Sequence, residues 1–256
     1  MNIDFHVHGI LSKSMEFNPQ LLKKEIEYGR ENGLDGFVLC EHFNAIYFND
    51  IHRYLKENYN YVGDKYDIQG FSIFPGIEVS VKEKGHIVLV GSREVILKIR
   101  ALLGDNMEKD HLVEIEKLLN IADEHGCLKI GAHPCRKGHK LCNQPKEILS
   151  RLDAIDLNAK DVFKKGEYVA KSEMRELSSR IGVNIVSGTD SHYPIQIGSI
   201  VTKLQDECST INELRSSILK NEHDIEISTT LDLRVFSAKV AKRYIVKNPD
   251  TKLFFI

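Results

Sequence analysis

Two histidines near the N terminus have the spacing expected of metal ligands. Asp4, His6 and His8 alternate along a short apolar segment, and side chains at positions i and i+2 of a strand point to the same face. Both imidazoles can therefore reach one cation, and Asp4 could orient one of them by a hydrogen bond. A His-x-His sequence also arises by chance, so a metal site requires further ligands at the ends of later strands.

Further histidines and carboxylates occur where apolar segments end, at positions that we predict to be at or near the ends of buried strands. The complete set of candidate metal ligands is His6, His8, His42, Glu78, His86, His133, Asp190 and His192. So many ligand-type side chains at strand ends are difficult to explain as satisfied core residues. The other histidines, at positions 52, 111, 125, 139 and 223, fall in predicted helices or loops. We expect most of them to be solvated at the surface.

The chemistry of this ligand set favours a cluster of transition-metal ions. Imidazole and carboxylate ligands without cysteine suit Zn²⁺, Mn²⁺ or Fe²⁺, and they argue against Ca²⁺ or Mg²⁺ alone. Eight ligands are too many for one tetrahedral ion. We therefore expect two or three divalent ions, spaced about 3.5–4 Å apart, with Glu78 as a carboxylate that bridges two of them.

The elements that carry these residues alternate between strands and helices. Strands are predicted over residues 4–8, 36–40, 71–79, 86–90, 127–132, 154–158 and 184–188. Such alternation indicates right-handed β-α-β units and a parallel sheet. A polar residue stands at or just past the C-terminal end of each of these roughly seven strands. This favours an α/β protein with a closed barrel, whose site lies at that end.

The chain after Gly198 follows a different pattern. It is predicted to contain a strand over 199–204, a helix over 211–221, a strand over 224–228 and a basic helix over 232–247. We therefore expect a metal-binding barrel over residues 1–198 and a small C-terminal α/β extension over 199–256 that packs on the barrel. The final Leu253-Phe254-Phe255-Ile256 is apolar enough to be buried against the barrel or in a dimer contact, so the oligomeric state stays open.

Composition places the protein in a broad class. The 256 residues carry a formal net charge of −2 with 28% charged residues, which does not mark a binder of long nucleic acid or of membranes. No apolar segment approaches membrane-spanning length, and the start lacks the features of a signal peptide. Five cysteines, an odd number, suggest reduced thiols. We expect a cytoplasmic protein.

Six motifs occur in order along roughly the first 200 residues. They are Asp4-x-His6-x-His8, Glu41-His42, Gly76-x-Glu78, His86, His133-Pro134 and Gly188-Thr189-Asp190-Ser191-His192. Each is weak by itself, but the ordered set resembles the PHP (polymerase and histidinol phosphatase) family, in particular its stand-alone members. The resemblance implies a distorted (β/α)7 TIM-like barrel that holds up to three divalent ions and hydrolyses phosphate esters.

The resemblance also implies a role for each matching residue. The first ion would be held by His6, His8, Glu78 and Asp190; the second by Glu78, His86 and His133; and the third by His42 and His192. Glu41 matches an acidic residue of the family motif and would orient a ligand without binding metal itself, as Asp4 could.

The chain departs from the family pattern in two places. The family commonly has an aspartate or histidine shortly after the first motif, where this chain has Lys13 and Ser14. An ammonium repels a dication, so either the third ion binds weakly or Lys13 replaces it by binding phosphate as a point charge; alternatively Lys13 is an exposed loop residue. Cys40 replaces the usual threonine, and we expect a small buried side chain rather than a nucleophile.

The resulting hypothesis is a metal-dependent phosphoesterase acting on a small phosphometabolite or nucleotide. The ions would activate water for in-line attack, with Glu78 bridging them and His192 able to protonate the leaving alkoxide. Arg136, in the basic loop of residues 136–140, could bind the substrate phosphate, unless this loop is simply solvated. Two alternatives stay open: a metal-binding domain with lost catalysis and a regulatory or scaffold role, and hydrolysis of a non-phosphate substrate.

Overall fold

A computed structural model describes residues 1–104, 111–139 and 141–248 of the chain. In that part, eleven strands form one sheet. The strands are β1 (Asn2–Val7), β2 (Gly36–His42), β3 (Asn60–Val62), β4 (Lys65–Ile68), β5 (Phe71–Val81), β6 (Gly85–Val90), β7 (Leu128–Ala132), β8 (Ala154–Asn158), β9 (Asn184–Gly188), β10 (Ile200–Lys203) and β11 (Asp224–Ile227). The basic residue at position 140 and the apolar C-terminal tetrapeptide lie outside the described residues.

Helices connect most of the strands. They are α1 (Pro19–Glu31), α2 (Phe48–Asn58), α3 (Arg93–Leu102), α4 (Ile115–Glu124), α5 (Lys146–Leu149), α6 (Ala159–Lys165), α7 (Glu167–Ile181), α8 (Ile211–Lys220) and α9 (Leu231–Lys247). Local sequence explains several boundaries. The Asn18 side chain accepts a hydrogen bond from the Gln20 amide at the start of α1, as expected of a cap followed by proline. Gly182, with a left-handed backbone, ends α7.

Seven of the strands form the barrel. Their order in the sheet is β1-β2-β5-β6-β7-β8-β9. The two ends of this series meet, because Val7 of β1 forms a parallel bridge with Ser191 just after β9, and the His8 amide donates to the Ser191 carbonyl at 2.9 Å. The sheet is thus a nearly closed barrel in a mixed α/β protein, and the predicted fold class is confirmed.

The expectation of a purely parallel sheet is wrong at β6. This strand pairs antiparallel with both β5 and β7. Only three residues separate β5 from β6, which permits a tight turn but not the helical crossover that a parallel strand requires. The reversal places the beginning of β6, with His86, at the same end of the barrel as the C-terminal ends of the neighbouring strands.

A second difference lies between α2 and β5. The strands predicted from the sequence leave residues 41–70 without a strand, but β3 and β4 form an antiparallel hairpin there, and β4 pairs with β5. The rings of Tyr61 and Tyr66 lie 5.0 Å apart across this hairpin, and the guanidinium of Arg93 lies over the Tyr61 ring. Aromatic residues are typical of strands, so this signal was present in the sequence.

Apolar side chains fill the barrel below the ligand-bearing end. One buried cluster takes alternate residues from the seven barrel strands, among them Phe5, Val38, Phe74 and Val186, and alternation of this kind identifies the barrel interior. The same cluster contains residues of α8, which therefore closes this end. The barrel interior is therefore a packed apolar core and not a solvent-filled pore. The strands around this core hold the polar groups at the opposite end in fixed positions.

The C-terminal segment continues the sheet. β10 pairs antiparallel with β1, and β11 with β10, while α9 packs against α6. The predicted boundary at residue 198 stays a prediction. None of the described helices combines the length and the apolar character needed to cross a membrane.

Candidate metal centre

The predicted metal ligands lie together at one end of the barrel, in a cluster that we call the mouth. It consists of His6, His8, His42, Glu78, His86, His133, Asp190 and His192. Six of these residues are buried, and His42 and His86 are partly exposed. Residues separated by more than 180 positions in the sequence are thus in contact, because the barrel strands deliver them to the same end.

Glu78 lies at the centre of the mouth. Its Oε1 atom lies 2.8 Å from His86 Nδ1 and 3.0 Å from His133 Nε2. The other oxygen, Oε2, lies 2.7 Å from His42 Nδ1, but these two atoms are not aligned for a hydrogen bond, and neither has a hydrogen-bond partner among the described residues. Two metal-binding atoms that lie close together without a hydrogen bond between them are expected where both groups face a shared cation.

The ionisation of Glu78 is consistent with this position. Burial would raise its pKa, but the neighbouring His86, His42 and His6 hold the pKa well below the ordinary glutamate value. Glu78 is therefore a carboxylate at neutral pH, and both of its oxygens can accept a cation.

His6 and His8 converge from β1 and the turn that follows it. Their Nε2 atoms lie 3.1 Å apart. The His6 Nδ1 atom lies 3.0 Å from the Asp156 carboxylate, which can only accept, so Nδ1 carries a proton and Nε2 is the atom that faces His8. Burial would lower the pKa of His8, but Asp190 and Glu41 raise it. The pair therefore attracts positive charge, in the form of a proton or a metal ion.

Asp4 acts on the backbone around these histidines. Its carboxylate accepts hydrogen bonds from the amides of His6 and Thr189, at 3.1 and 3.0 Å, and from the Thr189 hydroxyl at 2.6 Å. The pairing of β1 with β2 shifts register between Asp4 and Val7, so the regular alternation assumed from the sequence does not hold here. Asp4 thus ties β1 to the end of β9, which carries Asp190.

His192 completes a third group of imidazoles with His8 and His42. Ring nitrogens of the three residues all lie within 4.8 Å of one another, and the His8 and His192 rings stack at 4.1 Å. His192 Nδ1 lies 3.2 Å from the Asp190 carbonyl, which only accepts, so Nε2 presents a lone pair. Burial, followed by the charge of His8, lowers the pKa of His192 well below its ordinary value, and the ring is neutral.

Two residues of the mouth have unusual backbone conformations. His133 has φ 34° and Asp190 has φ 54°, in the left-handed region that non-glycine residues rarely adopt. The His133 amide donates to the Asp156 carboxylate, and the Asp190 amide donates to the His6 carbonyl at 2.8 Å. Such conformations persist only where surrounding contacts enforce them, and they concentrate at functional sites.

Gly188 allows β9 to approach β1 beneath these ligands. A Cβ atom at this position would lie 2.5 Å from the Cβ of His6 and 2.8 Å from a carboxylate oxygen of Asp156. No larger residue fits without displacing the His6 side chain. The glycine of this motif is therefore a steric requirement of the mouth.

His139 lies beside the mouth, against two of its members, and the sequence did not reveal this. We expected most of the remaining histidines at the surface, but the His139 ring lies 4.6 Å from that of His86 and 4.7 Å from that of His133. Nitrogens of these three rings could hold one ion. Its position shortly after His133-Pro134, in the loop that leaves the same strand end, was the available signal.

His52 also differs from the surface expectation. It is 2% exposed, packs on Phe48 and has no hydrogen-bond partner for either ring nitrogen among the described residues. Burial lowers its pKa to about 4, so it is neutral. It lies on α2, behind the mouth.

Two cations contact Asp190 directly. Arg136 Nη1 lies 2.8 Å from one carboxylate oxygen, and Lys160 Nζ lies 3.0 Å from the other. Arg136 also contacts Asn158 at 2.6 Å and Asp161 at 3.1 Å. Burial opposes the effect, but Lys160 and Arg136 keep the pKa of Asp190 well below its ordinary value. The alternative that Arg136 belongs to a solvated loop is wrong, because its side chain is only 14% exposed.

Lys13 and Glu41 lie on the side of the mouth towards β2. Lys13 is partly buried, and its pKa is lowered by burial while Glu78 and Glu41 act in the opposite direction. Its ammonium is therefore close enough to both carboxylates to interact with them. Glu41 accepts hydrogen bonds from the Ile10 amide at 3.0 Å and the His42 amide at 2.8 Å, and its Oε1 lies 3.5 Å from His8 Nδ1.

Cys40 behaves as a buried thiol. Its Sγ lies 3.6 Å from the Val7 carbonyl, and burial raises its pKa to about 11. It shares a potential metal-binding group with His6 and His8, but a thiol with this pKa stays protonated at neutral pH and is a poor nucleophile.

The donor atoms fit divalent cations. Four overlapping groups have ligand atoms within 4.8 Å of one another: His6-His8-Cys40, His8-His42-His192, His86-His133-His139 and His6-Glu78-His133. Imidazole nitrogens that converge on a central carboxylate form the kind of ligand set that binds transition-metal ions in proteins. The mouth can therefore hold divalent metal ions.

Comparison with known proteins identifies structures with the same fold. Neither a protein-family model nor a curated protein matches the sequence. PsfC from Pseudomonas syringae PB-5123 is 20% identical, with a TM-score of 0.78 over 95% of this chain and 98% of PsfC. The lesion-specific endonuclease PfuEndoQ from Pyrococcus furiosus is 17% identical, with a TM-score of 0.63 over 88% of this chain but only 57% of the endonuclease.

A third structure has a lower similarity. A protein from Bifidobacterium adolescentis, described as a candidate metal-dependent phosphoesterase, is 14% identical, with a TM-score of 0.51 over 87% of this chain and 96% of that protein. At these identities, the three similarities establish a shared barrel fold.

Proposed function

We propose that this chain is a PHP-type, metal-dependent phosphoesterase that cleaves a phosphate monoester of a small metabolite or nucleotide. One observation carries the proposal: Glu78 is a buried carboxylate whose two oxygens both face imidazoles that deliver their nitrogens to the same space. A buried carboxylate contributes little to folding stability, since a well-packed apolar residue at the same position is often at least as stabilising. A carboxylate shared between cations explains why this group is buried here.

The proposed centre contains two or three divalent ions. His6, His8, Glu78 and Asp190 would hold one; Glu78, His86 and His133 a second; and His42 with His192 a third. When bound, the ions would make water more acidic and neutralise charge on the phosphoryl oxygens. His139 is a further candidate ligand beside His86 and His133.

Basic side chains beside the mouth would position the substrate. Arg136 and Lys160, which both contact Asp190, have the charge to bind phosphoryl oxygens, and guanidinium does so through two parallel hydrogen bonds. Lys13 would contribute a further positive charge near Glu78. His192 is neutral because its pKa lies well below the ordinary value, which favours its role as a ligand of the third ion over its role as the acid for the leaving alkoxide.

The proteins that share the fold support this class of chemistry. One is described as a candidate metal-dependent phosphoesterase, and another is an endonuclease, whose reaction also breaks a phosphoester bond. Endonuclease Q has been crystallised with a 27-mer DNA duplex. The near-neutral charge of this chain favours a small substrate over long nucleic acid.

Metal analysis combined with turnover tests the proposal. The purified protein is expected to contain transition metal by elemental analysis and to hydrolyse p-nitrophenyl phosphate when Mn²⁺, Zn²⁺ or Fe²⁺ is added. His133→Ala should abolish turnover and leave the circular dichroism spectrum unchanged, whereas His111→Ala, an exposed histidine, should retain activity. Full activity of His133→Ala contradicts the assignment.

A metal-binding protein without catalysis is the second candidate, and the position of Lys13 favours it, since an ammonium beside the mouth opposes a full set of ions. Bound metal without turnover of any phosphoester in a broad panel would support that role. A third possibility is hydrolysis of a non-phosphate substrate. In that case, inorganic phosphate should not inhibit the hydrolytic activity.

A further inference from the structure

A basic cleft lies beside the mouth, between α6 and α9. Its volume is about 550 Å³, and His192 and Ser12 form the part of its wall nearest the mouth. Its cationic lining residues are Lys160, Lys164, Lys239, Lys242, Arg243 and Lys247. Among the described residues that line it, none is acidic. The cleft therefore opens next to the candidate metal centre and is positively charged.

The periodicity of α9 explains this charge. Lys239, Lys242, Arg243 and Lys247 occupy positions i, i+3, i+4 and i+8, which lie on one face of a helix. The face is directed at α6, which carries the two other lysines at the same four-residue spacing. The result is a set of cations on both walls of one cleft.

The floor between these walls is apolar. Phe163 of α6 and Val235, Ala238 and Val246 of α9 line the cleft together with the cations. Long basic side chains commonly extend along such surfaces while keeping their charged ends in water. The cleft therefore offers an apolar contact surface with positive charges around it.

Within the described residues, five of the six cleft cations lack the acidic partners that basic residues have elsewhere on the surface. On other helices, Lys24 pairs with Glu27, Lys171 with Glu167 and Lys220 with Asp206. In the cleft, Lys160 contacts Asp190.

No ion pair within the described part of the chain involves the remaining five cations. At Lys242 this arrangement disfavours the charged form of the side chain, because burial and then Lys160 lower its pKa to about 8. A solvated helix face would not require a partly buried lysine to lie close to another lysine.

We propose that this cleft binds a second anionic group of the substrate, at a distance from the phosphate that is cleaved at the mouth. The inference rests on the proposed function, because it assigns the substrate class of the same site. The substrate is then a phosphate monoester with an apolar body and a second anion, either a carboxylate or another phosphate. A cleft of this volume is of the size that encloses small molecules, which favours such a substrate over a polymer.

Three probes on one scaffold test this assignment. They are phenyl phosphates that carry, through a three-carbon arm, a terminal amide, a carboxylate or a phosphonate. With metal-loaded protein, we expect kcat/KM for at least one anionic probe to exceed that for the amide by about tenfold or more, as one charge-assisted contact allows. The comparison of carboxylate with phosphonate identifies the preferred anion.

A charge-matched pair of variants shows whether the cleft is responsible. Lys239→Gln/Lys242→Gln/Arg243→Gln removes three cleft cations, and Lys23→Gln/Lys98→Gln/Lys117→Gln removes three exposed cations from α1, α3 and α4. The first variant should reduce the ratio of kcat/KM for the anionic probe to kcat/KM for the amide probe to about threefold or less. The second variant should keep the ratio of the unmodified protein. The readout is the ratio, and circular dichroism checks folding. Lys242→Arg, which keeps the charge, should keep the preference.

A binding measurement separates failure of this inference from failure of the proposed function. Non-hydrolysable phosphonate versions of the same probes are titrated calorimetrically into the protein with and without metal. Turnover of all probes with equal kcat/KM overturns the inference and leaves the phosphoesterase function in place.

Two further outcomes are decisive. Anion-selective binding without turnover of any phosphoester overturns the function, and with it the role of the cleft as a substrate site. A strong preference for a short oligonucleotide over both anionic probes also overturns the inference, because it indicates a polymer.

Discussion

The mouth and the basic cleft share His192 as a border, yet they hold their charges in different ways. In the mouth, the carboxylates and imidazoles are mostly buried, and nearly every one contacts another member within 3.6 Å. In the cleft, most cations are exposed and unpaired within the described residues. Charges that are buried and mutually paired hold a fixed geometry, whereas exposed cations on long side chains can adapt to a ligand.

This difference has a functional meaning. A fixed cluster suits ions and a reaction whose atoms must be placed accurately, because small displacements reduce the rate strongly. An adaptable basic surface suits recognition of the part of a substrate that does not react. Substitutions in the mouth should therefore affect metal binding and turnover together, and substitutions in the cleft should change substrate preference.

The largest effect is expected at Glu78. Glu78→Gln keeps the shape of the side chain but removes the charge on which the surrounding imidazoles converge. We expect the metal content to fall and kcat/KM to decrease by about 10³-fold or more. Elemental analysis and phosphatase assays measure both effects. Retention of metal and of full activity would remove the central observation on which the proposed function depends.

A smaller effect is expected at Asp156, which the sequence did not indicate. Its carboxylate holds His6 Nδ1 and accepts the backbone amide of His133. Partners that orient a metal-binding histidine typically affect metal affinity by about 10- to 100-fold. Asp156→Asn should weaken metal binding within this range, measured by competition with a chelator. An unchanged affinity would show that the His6 ring is held by other contacts.

Lys13 combines features of the two regions. It is a lysine, like most of the cations in the cleft, but it lies beside the mouth. If it binds the phosphate in place of a third ion, Lys13→Ala should lower kcat/KM by about tenfold, mainly through a higher KM. Kinetics on p-nitrophenyl phosphate at saturating metal measure this. The matched change Lys23→Ala on α1 should have no effect. Equal kinetics for both variants would assign Lys13 to the surface.

Glu25 gives the smallest effect and concerns stability. It is completely buried on α1, and neither carboxyl oxygen has a hydrogen-bond partner among the described residues. Burial, with a further contribution from Glu41, raises its pKa well above the ordinary value of 4.5. The folded protein therefore keeps a proton that the unfolded chain loses, and stability falls as the pH rises above that value.

The slope of this loss is at most about 1.4 kcal/mol per pH unit. Glu25→Gln removes the titration. As the pH increases from about 5 to about 8, the free energy of unfolding of the variant should therefore increase relative to that of the natural protein. Urea unfolding at several pH values measures the difference. A constant difference would mean that Glu25 is ionised in the folded protein.

Much of the fold could be predicted from local sequence. The apolar segments around Val38 and Val186, the Asn18-Pro19 helix start and the Gly182 helix end all have local causes in strand burial and helix capping. The candidate ligands were found in the same way, because residues at the ends of barrel strands meet at one end. The PHP resemblance, which rests on the order of these motifs, gave the same fold.

Other features depended on how distant segments meet. The reversal of β6 follows from a three-residue turn, and only the closed sheet shows that it keeps His86 at the mouth. Asp156 reaches His6 across 150 positions, and Arg136 and Lys160 reach Asp190 from two different elements. Such contacts have no local pattern, since they arise from strand register and barrel closure.

Local periodicity was thus sufficient for the strands, the helices and the residue types gathered at their ends. Only the closed barrel showed the partners of each ligand, the position of His139 beside the mouth and the joining of α6 and α9 into one basic cleft. The physical reason is that backbone preferences act over a few residues. Electrostatic and packing contacts act over a few ångströms of space, whatever the separation along the chain.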